Sequence, residues 1–527
     1  MKTPTDMKTF RYGEDQLTAS IALGLARKEI QGVLIPSTIQ KVQQSAAAVA
    51  EIAAGERIVY GINTGFGPLC TSKISAADTR LLQDNLLKSH AVGVGGPVED
   101  EIALLMLVLK GHALAQGYSG IRLETLERIL WMITEGIVPI VPIQGSVGAS
   151  GDLAPLSHLF LPLIGEGKVR YSGEVLPAKN LLEKLGKSPL TLGPKEGLAL
   201  INGTQFMAAH GVKVVERLHR LLSHANITGA MMIEGLLGSV APFSENLHQL
   251  RPHVGNLHVA QTIRQLLKDS EIVASHANCS RVQDPYSLRC IPQVHGASWS
   301  TYLHLKQTLE IEINAVTDNP IVFDADHTIS GGNFHGQPIA LPLDFATLAA
   351  SEIGNISDRR IYLSIEGDTP GVPKLLVKET GLNSGWMIPQ YTTAALASEN
   401  KGLCFPASAD SIPTSLGQED HVSMGSISAR KALRVIDNVE KILGIELLYA
   451  AQAMDFHAPV RSGKILDSIY RKIREVIPPL EKDRILYEDM ETAINLVKGG
   501  SLLALAQQVA QETGTPYQTE WSSLFDY

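Results

Sequence analysis

Gly145-Ser146-Val147-Gly148-Ala149-Ser150-Gly151-Asp152-Leu153-Ala154-Pro155-Leu156 gathers the smallest residues of the chain into one run and closes that run with a carboxylate. Three readings compete for it. A structural turn explains the glycines, which admit backbone conformations closed to other residues, but does not need a second Gly-Ser pair at Gly145-Ser146. A serine nucleophile wants Gly-x-Ser-x-Gly, and Asp152 stands where the last glycine belongs. In the third reading the Gly151 amide nitrogen attacks the Ala149 carbonyl carbon, and Ser150 then loses water to become an exocyclic methylene. Glycine as the attacking residue removes the Cβ that would block a five-membered ring, and Ser150 supplies a hydroxyl that can leave. Sterics make this reading coherent without selecting it.

Outward from this run, the first 200 residues alternate predicted helices with Gly-rich breaks. Helical patterns fall near Asp15 to Lys28, Ser37 to Gly55, Ser75 to His90, Glu99 to Gln116 and Leu123 to Glu135. A second break, Tyr60-Gly61-Ile62-Asn63-Thr64-Gly65-Phe66-Gly67, lies between the second and third of these, and loops held by helices are good places for catalysis. After about residue 200 the pattern lengthens into amphipathic helices. One is predicted from about Trp299 to Val316, with Leu305, Leu309, Ile313 and Val316 at helical spacing. Another is predicted from about Val422 to Ala453, where Ala432, Ile436, Val439, Leu443, Leu447 and Ala450 form one apolar stripe that reads as bundle core. There is no internal repeat.

The 527 residues are 44% hydrophobic, 19% charged and 5% aromatic, the mix of a globular protein with an aliphatic, helix-favouring interior. A net charge of -9 argues against a nucleic-acid partner, which would require a positive surface. Cys70, Cys279, Cys290 and Cys404 have no CxxC or zinc spacing, so they read as reduced thiols in an intracellular protein and no metal is expected. Met1 to Asp15 lacks a signal-peptide pattern, and the apolar stretches Ala103 to Leu109 and Ala154 to Gly165 fall short of the about 20 residues a bilayer needs or are interrupted. The expectation is a cytoplasmic protein with no membrane partner.

The run Gly145 to Leu156 matches, unbroken, the signature of the histidine and aromatic amino-acid ammonia-lyases, and the chain resembles that family from about Tyr12 to about Gly500. Further resemblance lies at Tyr60 to Gly67, Gly197 to Gln205, Gln283 to Gly296, Thr317 to Pro320 and Gln418 to Gly425. It implies that Ala149, Ser150 and Gly151 form 4-methylideneimidazole-5-one (MIO), a self-derived prosthetic group that needs no external cofactor. Proteins are rich in nucleophiles and poor in electrophiles, and expelling ammonia requires an electrophile to activate the amine. By the same resemblance Tyr60 is the general base, its phenol held partly ionised below the usual pKa of about 10. Arg289 grips the substrate carboxylate with its bidentate guanidinium. Asn202, Gln283 and Tyr286 line the prosthetic group and the amino-acid head, and Phe334 stands beside the prosthetic group.

Within this family the substrate is read mainly at one pair of residues, here Ser89-His90, which resembles the histidine-specific pair. Glu419 is the second discriminator: tyrosine and phenylalanine lyases carry Gln there, whereas a carboxylate can orient an imidazole N–H. Glu419 is also a candidate to share proton transfer with Tyr60. Two departures from the histidine pattern, Cys404-Phe405 and Leu416-Gly417, lie close in sequence to Glu419 and point to a retuned pocket or an aminomutase outcome.

The resemblance implies a mostly α, fumarase/aspartase-like architecture. Residues 1–200 form an N-terminal domain with the MIO tripeptide and the Tyr60 loop, and residues 201–527 form a long-helix bundle carrying substrate-binding loops. It also implies a homotetramer whose active sites take loops from three subunits. The leading expectation is elimination of ammonia from L-histidine to give trans-urocanate. A tyrosine or phenylalanine lyase, an aminomutase and a noncatalytic helical binding protein are the alternatives.

Overall fold

A computed structural model describes residues 8–65, 74, 76–277 and 281–517. Met1, Phe66, Gly67, Cys70, Ser75 and Cys279, all named above, lie outside the described residues.

The helices start and stop where local chemistry tells them to. Ala19–Ala26 begins four residues later than the pattern suggests because the Thr18 hydroxyl accepts the Ile21 N–H and caps it. Pro36 opens Pro36–Ala54, where its missing N–H costs nothing. The helix expected from Trp299 instead runs Ile291–Glu312, with Pro292 in its first turn. Its early turns bury His295, Gly296 and Ser298, which a search for an apolar stripe passes over. It stops before Val316 because Asn314 turns its side-chain amide onto the carbonyls of Glu310 and Leu17, both at 2.7 Å.

Five long helices, Gln205–Gly235, Ile291–Glu312, Gln337–Ser364, Met387–Leu403 and Gly425–Asp455, make the bundle. Gln205–Gly235 is its axis, with only Arg217, Arg220 and Ser223 escaping full burial, the mark of a helix surrounded on all sides. It approaches Gly425–Asp455 closely at Gly235, where a Cβ would sit 2.8 Å from that of Ala453. The fully buried Arg360–Glu446 pair joins Gln337–Ser364 to Gly425–Asp455, and Ser357 donates to the same carboxylate at 2.6 Å. Asp100–Ala115 and Ala19–Ala26 pack on the axial helix from the N-terminal side. One hydrophobic cluster runs from Phe10 to Tyr517. The architecture is mostly α, as the resemblance implies.

Strands are short and peripheral. The pair that matters for the site is Val94–Pro97 antiparallel to Pro142–Gln144, with Val94 opposite Gln144. This ladder brings the segment after His90 alongside the residues that lead into Gly145. No helix among the described residues is long and apolar enough to cross a membrane.

Candidate active site

Asp152, which closes the small-residue run, explains how the run is held. Its fully buried carboxylate accepts the Ser146 hydroxyl at 2.9 Å and the Met207 N–H at 2.9 Å. Met207 lies in the first turn of the axial helix, whose N–H groups lack intrahelical partners and whose dipole favours an acceptor. Burial nevertheless outweighs these donors and pushes the Asp152 carboxyl up to about 7.

The Asp152 N–H donates to the Gly203 carbonyl at 2.8 Å, and the Gly203 N–H donates to the Ser150 carbonyl at 3.3 Å. Residues 150–152 are thereby laid against Gly203 so closely that a Cβ on Gly151 would overlap the Gly203 carbonyl. Both Ser150 (φ +48°) and Gly151 (φ +82°) are left-handed. For glycine this is free, whereas Ser150 carries strain that the surrounding hydrogen bonds must offset. On the other side the Met424 N–H donates to the Val147 carbonyl at 2.9 Å, the Ser426 hydroxyl donates to Ser146 at 2.6 Å, and Ala149 packs with Val422 and Met424.

Glu419 reaches this loop. The Ser150 hydroxyl donates to Glu419 Oε1 at 3.0 Å, and Oε2 accepts from the Thr414 and Ser415 hydroxyls at 2.8 and 2.9 Å. A tight turn with left-handed Ser415 and Leu416, closed by the Thr414 N–H on the Glu419 carbonyl at 2.9 Å, sets that geometry. His90 ends the Ala76–His90 helix and meets the Ser89 hydroxyl at 3.0 Å through Nδ1. Burial lowers its pKa, opposed by a hydrogen bond that the imidazole donates to the Leu86 carbonyl and by the Glu419 charge.

Asn202 ends the Glu196–Ile201 helix one residue before Gly203. It is buried, Lys110 donates to its carbonyl, and its side-chain Oδ1 has no hydrogen-bond partner among the described residues. Burial brings the Lys110 ammonium down to about 8. Tyr60 is half-buried against the main core. Its loop is shaped by Asn63, which accepts the Val59 N–H and donates to the Arg57 carbonyl, both at 2.9 Å. Gly61 fits against Leu198, on the helix that ends at Asn202. Phe334 is half-buried, two residues before Gly336, which packs on Met207 and Ser423.

Gln283, Tyr286 and Arg289 are not brought to this place. Their loop is fastened to the far end of the axial helix: Ser239 N–H donates to Asp284 at 2.6 Å, and Arg281 donates to the Leu236 carbonyl at 3.2 Å. At about 1.5 Å per residue the 31-residue helix is about 46 Å long, so this loop and Ser150 flank opposite ends of it. There the Arg289 guanidinium lies 4.6 Å from the Tyr286 ring centroid and donates to the Asp284 carbonyl at 2.9 Å. Gln283 is exposed and Tyr286 is 71% exposed.

Of the departures near Glu419, Phe405 is 81% and Leu416 95% exposed while Cys404 is half-buried, and none of these side chains is among the hydrogen-bond partners of Glu419. Sequence reasoning passed over Thr414, Ser415 and Lys110. Only Lys110 carried a signal, as a lone ammonium inside the apolar Leu104–Leu114 stretch. No cluster of three or more His, Cys, Asp or Glu suited to a metal occurs among the described residues.

The sequence profile described as aromatic amino acid lyase matches residues 17–475. Histidine ammonia-lyase of Myxococcus xanthus (strain DK1622) is 49% identical over 491 residues, covering 93% of this chain and 97% of that protein. Among solved structures, histidine ammonia-lyase from Trypanosoma cruzi superposes with a TM-score of 0.87 at 40% identity, covering 95% of this chain and 96% of that one. Tyrosine aminomutase from Streptomyces globisporus does so with a TM-score of 0.89 at 35% identity, covering 95% and 98%. With a profile spanning most of its length, and relatives matched nearly end to end, the chain belongs to the aromatic amino acid lyase family.

Proposed function

We propose that the chain is a carbon–nitrogen lyase that eliminates ammonia from L-histidine, using an MIO group made from Ala149, Ser150 and Gly151. The observation that carries this reading is the Glu419 carboxylate, held by Thr414 and Ser415, 3.0 Å from the Ser150 hydroxyl. That sets an acceptor suited to an imidazole N–H beside the loop of the prosthetic group. The relatives that bear the name histidine ammonia-lyase support the same substrate.

The residues fit the group. The left-handed Ser150–Gly151 turn pressed on Gly203 leaves no space for a Cβ on the attacking residue, and the orphaned Oδ1 of buried Asn202 offers a polar contact beside it. When formed, the group supplies an electrophilic carbon that makes the substrate amine a leaving group. Tyr60 then takes the β-hydrogen as a proton, the electron pair of that C–H bond becomes the new C=C bond, and the C–N pair leaves with nitrogen. The products are trans-urocanate and ammonia. Glu419 accepts an imidazole N–H, and His90, held largely neutral by burial, offers a second polar contact to the ring.

Arg289 binds the substrate carboxylate from another subunit. Its position beyond the far end of the about 46 Å axial helix, half-buried at the end of the short helix Tyr286–Arg289, supports a homotetramer with shared sites over a self-sufficient monomer. The test incubates the purified chain with L-histidine, L-tyrosine and L-phenylalanine, analyses for acrylates and β-amino acids, and measures intact mass. The expected result is urocanate from histidine alone and a chain lighter by two waters. β-Histidine would instead make it an aminomutase, and an unshifted mass with no product would leave a binding protein.

A further inference from the structure

A cavity of about 360 Å³ is lined in part by Ile143, on the strand that leads into Gly145, and its lining includes none of Tyr60, His90, Ser150, Asn202 or Glu419. Its volume is that of a small-molecule site. It opens between Pro97–Ile102, the axial helix and the first turns of Gly425–Asp455.

Its charges are unusual. Arg217 and Asp437 are used up, Arg217 by Glu440 at 2.6 Å and Asp437 by Lys441 and Lys498, each at 2.6 Å. Arg430 and Arg434, one turn apart, form no ion pair among the described residues, and each opposes the charge of the other. Glu99 and Glu399 stand at the rim, exposed and likewise without an ion-pair partner among the described residues. A simple anion would meet the two carboxylates, and a simple cation the two guanidinium groups.

His210 sits deep in the lining, 1% exposed. Its Nδ1 donates to the Phe206 carbonyl at 2.8 Å, which leaves Nε2 as an acceptor, and Nε2 has no partner among the described residues. Burial carries this imidazole down to about 4, so near neutral pH it accepts a hydrogen bond and bears no charge. An unmet acceptor at such depth is unfavourable unless a donor reaches it.

We infer that this cavity binds a free α-amino acid or a closely similar zwitterion, at a site separate from the one around Ser150. The α-carboxylate pairs with Arg430, the ammonium N–H donates to His210 Nε2, and Glu99 and Glu399 balance the positive charge. The buried Val98 and Ile102 form the wall against which an aliphatic side chain packs. A ligand here touches the Ser150 loop indirectly. The Phe206 ring lies 4.3 Å from that of His210, and the next residue, Met207, donates its N–H to Asp152.

The site is tested by calorimetric titration of the full-length protein with glycine, the head group alone, and with L-leucine. Neither carries an aromatic ring. An Arg289→Leu background removes binding at the lyase site, so failure of the proposed lyase reading leaves this test intact. Saturable binding is expected in Arg289→Leu, tighter for leucine than for glycine. It should weaken at least about tenfold when Arg430→Leu is added, the loss of a charge-assisted pair, and recover in part with Arg430→Lys. Arg434→Ala, at an exposed position, serves as the second variant should Arg430→Leu fail to fold, and is also expected to weaken binding. Absence of saturable binding in Arg289→Leu, or affinities unchanged by the Arg430 and Arg434 substitutions, overturns the proposal.

Discussion

At the N-terminal end of the axial helix, Ser150, Glu419 and Asn202 are buried or half-buried, and their positions are set by hydrogen bonds within one chain. At its C-terminal end, Gln283 and Tyr286 are exposed and Arg289 is half-buried, on a segment fastened to that end through Asp284 and Arg281. The first region is preorganised before any assembly, as chemistry on a poor leaving group requires. The second, to which the proposed function assigns binding groups, lies at the far end of the helix from Ser150. The contrast teaches that the residues named for binding and those named for chemistry are held apart in one chain, and under the proposed function they are two half-sites completed by neighbouring chains.

The largest expected effect comes from separating the halves. Ser150→Ala and Arg289→Leu should each abolish turnover of histidine, yet co-expression of the two variants should restore a measurable fraction of wild-type activity. Mixed oligomers would contain sites with an intact loop from one chain and an intact arginine from another. No recovery would place both residues in one chain's site and break the comparison.

Within the buried half, Gly151→Ala should prevent the two-water mass loss and all activity, because its Cβ overlaps the Gly203 carbonyl. Tyr60→Phe should lose nearly all turnover while retaining the mass loss, which separates the base from the formation of the group. Glu419→Gln should keep the mass loss and lower kcat/KM for histidine by about ten- to a hundredfold, the range of a hydrogen bond to a charged group at about 1.5–3 kcal/mol. Steady-state assays and intact mass measure all three.

The smallest effect concerns pH. The Asp152 carboxyl is raised in the fold from 3.8 to about 7 by burial, so the folded state binds the extra proton in that window. Its stabilising contribution is therefore complete below about 4 and is lost as pH rises through about 7. Urea denaturation of wild type should show stability falling from pH 5 to pH 8, and Asp152→Asn should flatten that slope. Equal slopes would mean that Asp152 ionises freely in the folded protein.

Much of the site was legible because its chemistry is local. Asp152 stands in sequence beside the tripeptide it holds, and Ser89-His90 are consecutive at the end of one helix. Helix boundaries were less legible wherever side chains overrode periodicity, as at Thr18, His295 and Asn314. Thr414 and Ser415 carried no signal, since hydroxyls in a polar loop look the same whether or not they hold a carboxylate. Cys404-Phe405 and Leu416-Gly417 looked like pocket residues from their nearness to Glu419 in sequence. Within the chain Phe405 and Leu416 are exposed and Cys404 is half-buried.

The sequence by itself determined that this is a helical chain with a small-residue run whose sterics admit contraction without selecting it, because glycine and serine chemistry and 3.6-residue periodicity are properties of neighbouring residues. Only the tertiary structure decided that Glu419, 269 positions from Ser150, closes on its hydroxyl. It alone also decided that Arg289 lies beyond the far end of the axial helix from the Ser150 of its own chain. The physical reason is the rigid span of the axial helix: it carries whatever packs on its first turn and whatever packs on its last to places about 46 Å apart, a separation that no local pattern encodes.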